Sequence, residues 1–355
     1  MGWFTHKVVL TVLAGLACLG LLRPVAAADA TDAQAKPLVL GVFAFRPKPI
    51  IEERFAALGR YLSEHVPGHT VKVVPMWNDE LEAAVTARTV DFVLTNPTHY
   101  VQLRDSNLLS GALATMVMRQ GEQVVHGIGG VIIRRAERTD LRTLADLKGR
   151  RIAIAGKHFL GTYMAPAVEL QRAGVDISTL TWVETTQPVD QVITSVLAGK
   201  ADAGFVRTGV LEDLVTEGKL NPTELTIINP LQHPGYAFIS STRLYPEWPF
   251  LTVAHVDREV SRRLSAALFS LQPAHPAAMA AGIYGFTIPA DYAAVEQGMR
   301  ELRMPPYDKA PPFDWYDIWV RYQPWVVAML ALGVAITLLS SVLVLQRRRL
   351  LQTQA

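Results

Sequence analysis

Short apolar runs alternate with amphipathic stretches along most of the chain, and this rhythm predicts the elements. Residues 37–45 (PLVLGVFAF) form a first strand, with Gly41 allowing close approach. Arg46-Pro47-Lys48-Pro49 is a stiff loop with two cations. Over 50–66, Ile51, Phe55, Leu58 and Leu62 repeat at helical spacing, and Pro67-Gly68 ends that helix. Residues 70–75 alternate as a second strand, 79–88 make a short helix, and 91–95 (DFVLT) a third strand running into Asn96-Pro97-Thr98-His99-Tyr100. This strand–helix repetition predicts a parallel α/β lobe, whose ligands bind beyond the carboxyl ends of the strands. Residues 112–118 and 127–134 read as two further strands.

A second series begins after Arg138. Residues 139–148 are expected to be a short helix capped by Thr139 or Asp140. The stretch 149–174 (GRRIAIAGKHFLGTYMAPAVELQRAG) follows as a buried strand over 151–155, a glycine-bearing loop to Gly161 and a helix opened by Gly161, Thr162 and Tyr163. Pro166 suits a helix start because its missing N–H has no partner to lose there, and Gly174 ends the helix. Such a turn presents free N–H groups to a small anion. Residues 180–184 are a strand, and a helix begins at Thr185-Thr186-Gln187-Pro188 with Val189, Val192, Val196 and Leu197 toward the core. Residues 201–206 (ADAGFV) are a strand ending in Arg207-Thr208, 209–217 a helix and 225–229 a strand. Helices over 256–271, 273–280 and 291–302 return to the first lobe, and 304–312 is a proline-bearing linker. The expected fold class is therefore α/β: two lobes with a hinge and a cleft, the second inserted in the first. Lobe one takes 37–134 and 233–307, and lobe two takes 135–232. A hinged protein that closes on a ligand has this form.

The two ends read differently. Residues 1–28 resemble a secretory signal, with an apolar run over 8–22 and Ala26-Ala27-Ala28 for cleavage; an uncleaved anchor is the competing reading. Residues 325–345 (WVVAMLALGVAITLLSSVLVL) hold no charge and can cross a bilayer. Trp315, Trp319 and Tyr322 precede them and Trp325 opens them, as an aromatic belt, and Arg347-Arg348-Arg349 follow, which places the tail 346–355 inside the cell and the body outside. Residues 308–324 form the juxtamembrane linker. The expected location is thus the cytoplasmic (inner) membrane, with one C-terminal span and the soluble body in the periplasm.

Composition narrows the chemistry. A net charge of +2 with 19% charged residues carries no nucleic-acid signature. The lone cysteine, Cys18, excludes disulfides and cysteine metal sites in the body. No G-x-S-x-G, H-E-x-x-H or P-loop is present, so neither an enzyme nor a cofactor is expected. Arg46, Lys157, His158 and Arg207 lie near expected strand ends, where together they would favour an anion. Phe45 and Tyr163 would wall that pocket. Thr95, Asn96, Thr98, Gly161, Thr162 and Thr208 complete the expected ligand set, and His99 lies beside them. Trp248, in Tyr245-Pro246-Glu247-Trp248-Pro249, reads as a structural corner.

Residues 144–154 (LADLKGRRIAI), with Pro166, and 196–211 (VLAGKADAGFVRTGVL) resemble phosphonate-type periplasmic binding proteins. Residues 92–103 (FVLTNPTHYVQL), 241–250 (STRLYPEWPF) and 288–307 (IPADYAAVEQGMRELRMPPY) resemble the extracytoplasmic input domain of tetrathionate-sensor-type histidine kinases. The likeness covers about 37–307. It implies a type II periplasmic-binding-protein fold whose closure is passed through the membrane helix to a kinase output. It also departs from the family in two places. The loop 157–162 keeps one hydroxyl, Thr162, where phosphonate binders are rich in Ser and Thr. No kinase motif follows the span, so the output is expected to be separate or missing. The expected function is a membrane-anchored sensor module for a small anionic ligand. The alternative is the tethered binding component of an ABC-type transporter for phosphonate-like or other oxyanions. The partners are accordingly the ligand, the membrane, and a histidine kinase or an ABC permease. Ala331 and Ala335 stand at small-xxx-small spacing, compatible with a homodimer.

Overall fold

The computed structural model describes residues 36–106, 108–309 and 315–353; the signal-like residues 1–28 lie outside them. The chain divides into two compact units, one ending at Met304 and one beginning at Pro305.

The first unit holds two sheets. β1 (Lys36–Phe43) pairs in parallel with β2 (His69–Met76) and β3 (Phe92–Leu94). Helices α1 (Lys48–His65) and α2 (Asn78–Thr86) make the crossovers, and Ile51, Phe55, Leu58 and Leu62 of α1 are buried as their spacing requires. α3 (Pro97–Asp105) follows β3. β4 (Leu109–Gln120) and β11 (Pro249–Val253) then join antiparallel, giving the order β12-β4-β11-β3-β1-β2, with β5 (Gln123–Val125) beside β4 and β12 (Ile283–Thr287) at the edge. The sheet is therefore mixed rather than parallel. β11 and β12 escape the apolar pattern for opposite reasons. β11 is short, opens on a proline and is buried on both faces, whereas β12 is broken by Gly285.

The second sheet runs β10-β6-β9-β7-β8. β7 (Arg151–Ile154) is parallel to β8 (Thr181–Glu184) and β9 (Ala203–Arg207). β6 (Gly130–Arg135) and β10 (Leu225–Ile228) are antiparallel additions. β6 thus belongs to the second sheet, so the chain crosses ahead of Gly130 and not after 134. The two crossing segments pair at Ile128 and Tyr245, each N–H donating to the other's carbonyl at 2.8 Å.

Two local expectations change. Over 139–148 there is one 3₁₀ turn, Leu144–Leu147, capped by Thr143, because the Asp146 carboxylate accepts from the backbone N–H groups of Thr143 (2.8 Å) and Arg142 (2.9 Å). The helix expected from Thr185 begins at Asp190 (α5, Asp190–Leu197), since Thr186 takes a positive φ of 62° that no helix accepts.

The second unit contains α10 (Trp315–Thr353), a 39-residue helix. Within it Trp319–Arg349 is long and apolar enough to cross a membrane, and none of that window is buried. The remaining helices of the first unit, α4 (Ala165–Arg172), α6 (Val210–Thr216), α7 (Arg258–Ser270), α8 (Pro276–Ala281) and α9 (Ala293–Glu301), cover the sheet faces.

A donor-lined cavity between the two sheets

A small cavity of about 30 Å³ lies where the ends of β1, β3, β7 and β9 meet. Its walls are aromatic: Phe43, Phe45, Phe159 and Trp248. Phe43 stacks on Phe159 at 5.2 Å, and Trp248 lies 5.4 Å from both Phe43 and Phe45. Into this apolar shell point polar atoms without partners. Asn96 Nδ2, Thr162 Oγ1, Gln187 Oε1, Arg207 Nε and Trp248 Nε1 are buried and make no hydrogen bond among the described residues. Four of the five can donate. Buried donors left unpaired cost of order 1–3 kcal/mol each, so their convergence marks a place for acceptor atoms.

The fold explains each donor's aim. Asn96 caps α3, its Oδ1 accepting from Thr98 Oγ1 (2.5 Å) and from the His99 N–H (3.2 Å), which leaves the amino group for the cavity. Thr162 sits in a single π-helical turn, Leu160–Met164, closed by Met164 N–H donating to the Phe159 carbonyl at 2.9 Å. That turn presses against β9 and the crossing segment: a Cβ on Gly161 would stand 2.6 Å from Arg207 Cβ and 2.9 Å from the Gly129 carbonyl. Only glycine lets the turn come this close. Arg207 ends β9 with its guanidinium 4.8 Å from the Phe45 ring and 5.4 Å from the Trp248 ring. Its Nη2 donates to Glu247 Oε1 at 3.3 Å, so the Nε edge stays free. Glu247 is 2% exposed; burial pushes its carboxyl up, opposed by Arg207 and by the Trp248 N–H.

Of the residues expected to bind ligand, the cavity brings together Phe45, Asn96, Gly161, Thr162 and Arg207. Arg46 is elsewhere. It is fully buried and donates to Asp190 (2.9 and 3.1 Å) and to both oxygens of Glu217. Burial works against its charge, but these hydrogen bonds outweigh it and raise the guanidinium above its ordinary value. The same contact holds Glu217 down to about 2. Arg46 is thus a tie between the first-sheet and second-sheet segments, as is the Val189 N–H donating to the Phe45 carbonyl at 2.9 Å. The start of α5 is likewise taken up by this tie, through Asp190.

The other candidates support the walls. Thr95 Oγ1 meets His99 Nδ1 at 2.9 Å, and Thr98 Oγ1 lies 2.7 Å from the His158 carbonyl, which competes with Asn96 Oδ1 for its one proton. The His158 ring packs on Phe159 at 3.9 Å, and burial lowers its pKa. Lys157 lies over Trp182 at 5.9 Å, and Tyr163 meets the same ring at 5.2 Å. Thr208 Oγ1 accepts from Tyr236 and from the Gly129 N–H. Sequence reasoning missed Phe43, Phe159, Leu160, Gln187, Glu247 and Trp248. The Glu247-Trp248 pair carried the one available signal, an acid beside the largest aromatic in a proline-bounded turn.

A family model described as the phosphonate periplasmic substrate-binding protein of ABC transporters matches residues 40–295. The chain belongs to this family. The tetrathionate sensor histidine kinase TtrS of Salmonella typhimurium is 27% identical over 316 residues, 89% of this chain and 50% of that protein. The chain therefore spans about half the length of that curated relative. Among solved structures, PhnD1 from Prochlorococcus marinus in complex with methylphosphonate shares the fold at TM-score 0.61 and 16% identity, over 76% of this chain and 99% of that one. A binding-protein component of a phosphonate transporter from Pseudomonas aeruginosa matches at TM-score 0.62 and 13% identity, over 85% of this chain and 98% of that one. These solved structures share the type II periplasmic-binding-protein fold with this phosphonate-binding-type chain.

Proposed function

We propose that the chain is the membrane-anchored input module of a sensor, which binds a small oxyanion in the donor-lined cavity and passes lobe closure to a kinase output. The convergence of four buried, unpaired donors on one aromatic-walled cavity carries this reading. A tetrahedral oxyanion offers acceptors in several directions and matches such a ring. The cavity of about 30 Å³ holds little more than a water, so a larger ligand enters only as the lobes part. Likeness to a sensor kinase over most of the chain, together with a membrane-length C-terminal helix, supports signalling. The family description supports the second reading, a binding component tethered in the inner membrane beside a permease.

Methylphosphonate, sulfate and phosphate titrated into the full chain in detergent test the binding step. One of them should saturate, raising the unfolding temperature in wild type and much less in Thr162→Val. If none binds, the cavity is not an oxyanion site. For the output, transcription and solute uptake are compared in cells with and without residues 325–355. Loss of a ligand-dependent transcriptional response with uptake intact supports the sensor; the reverse supports the transporter.

A further inference from the structure

Beyond the aromatic wall lies a second, larger chamber of about 260 Å³. It shares only Phe45 and Arg207 with the inner cavity. Met118 and Arg119 of β4, with Gly282 ahead of β12, form the first-sheet side. Residues 208–210 and Asp213, at the start of α6, form the second-sheet side, and Arg54 of α1 completes the polar lining. The charged groups facing the space are thus Arg54, Arg119, Arg207 and Asp213.

Their pairing is uneven. Arg54 Nη2 donates to Asp213 at 3.0 Å, and Arg207 donates through Nη2 to Glu247 while its Nε belongs to the inner cavity. The Arg119 Nε is also buried and has no hydrogen-bond partner among the described residues, and nothing in the inner cavity accounts for it. A sheltered guanidinium edge without an acceptor is costly, and an incoming anion would supply what it lacks. The carboxylate of Asp213 stands in the same wall and opposes a dianion. The chamber is also too large and too apolar on one side for an inorganic ion alone. Phe45, Met118, Phe238 and Met279 line it, and a cavity of about 150 Å³ already accommodates benzene.

We propose that this chamber binds an organic monoanion, with its carboxylate on Arg119 and a compact apolar body against Met118, Phe238 and Met279. The site does not depend on what fills the inner cavity. Because its walls come from both sheets, an occupant favours the closed arrangement of the lobes.

Benzoate is the probe, with benzyl alcohol as its uncharged counterpart and acetate as the head alone, each titrated into the full chain in detergent by calorimetry. Benzoate should bind saturably, benzyl alcohol and acetate much more weakly. Arg119→Leu should weaken benzoate about tenfold or more, and Arg119→Lys should retain part of the binding. Met279→Trp, at a position 59% exposed, should block the chamber without touching the core, which covers the case in which Arg119→Leu fails to fold. Thr162→Val, in the inner cavity, should leave benzoate binding unchanged. Absence of saturable benzoate binding with a Kd below about 1 mM overturns the proposal, as does equal binding by wild type, Arg119→Leu and Met279→Trp. Loss of benzoate binding in Thr162→Val alone would place benzoate in the inner cavity and also overturn it. The oxyanion titrations judge the inner cavity separately.

Discussion

Thr162 is a buried hydroxyl, 6% exposed, without a hydrogen-bond partner among the described residues. Valine has nearly its shape without the polar atom. Thr162→Val should therefore leave the empty protein as stable or slightly more so, because an unpaired buried group is removed. The same change should weaken oxyanion binding about tenfold, roughly 1.4 kcal/mol. Opposite signs in melting temperature and affinity would separate a ligand contact from a packing role; a fall in both would mean that the hydroxyl supports the fold. Glu247 gives a complementary case. Its carboxylate neutralises Arg207 inside the aromatic shell. Glu247→Gln removes the charge that competes with a ligand. It should lower the unfolding temperature without anion, and tighten anion binding several-fold. A variant that binds anions more weakly would show that Glu247 serves only to hold Arg207 in place.

At the scale of elements, the tie around Arg46 links segments of the two lobes. Asp190 at the start of α5, and Asp213 and Glu217 in and after α6, all surround one buried guanidinium. Arg46→Met would leave those carboxylates facing one another, at a cost of about 3 kcal/mol or more. The expected result is a lower unfolding temperature and a larger radius of gyration in solution scattering; an unchanged radius would mean that other contacts hold the lobes. This residue also shows where the sequence stopped being informative. Its position just past β1 was legible from the apolar run and the Pro47 that follows. Its partners, some 144 and 171 residues away, were not, and a cation at a strand end reads the same whether it meets a ligand or its own chain. The helices with clear apolar spacing, α1 above all, were legible because burial imposes a 3.6-residue period on them. β11 and β12 were not, because short strands whose pairing is set by distant neighbours carry no period of their own. Within the cavity, Asn96 and Arg207 were legible as polar residues at strand ends, and Thr162 as a hydroxyl where a helix opens. Trp248 was not, since a buried indole looks like core until its Nε1 is found without a partner.

For the molecule as a whole, acid sensitivity and orientation in the membrane can be argued together, since both concern the compartment in which the body works. His99 is fully buried, and burial, with His158 nearby, depresses it from 6.5 to about 3. The unfolded chain takes up that proton first, so stability is fully present above pH 6.5 and drains as pH falls. The carboxylate of Glu217, held at about 2 from 4.5, adds its own loss only below pH 4.5. Between pH 6.5 and 4.5, then, His99→Gln should flatten the decline in unfolding temperature; a decline of unchanged slope would assign it to other groups. That liability matters only if the body faces a medium of variable pH, which depends on topology. α10 extends about 58 Å at 1.5 Å per residue, ample for a bilayer core of about 30 Å, and Arg347, Arg348 and Arg349 stand at one end. On the proposed reading these arginines are cytoplasmic and the body lies outside. In a Cys18→Ala background, Ser178→Cys on the body should react with an impermeant maleimide in spheroplasts. Gln352→Cys should react only after the membrane is opened. The reverse pattern would put the body in the cytoplasm, and with it the cavity would lose access to any solute from outside.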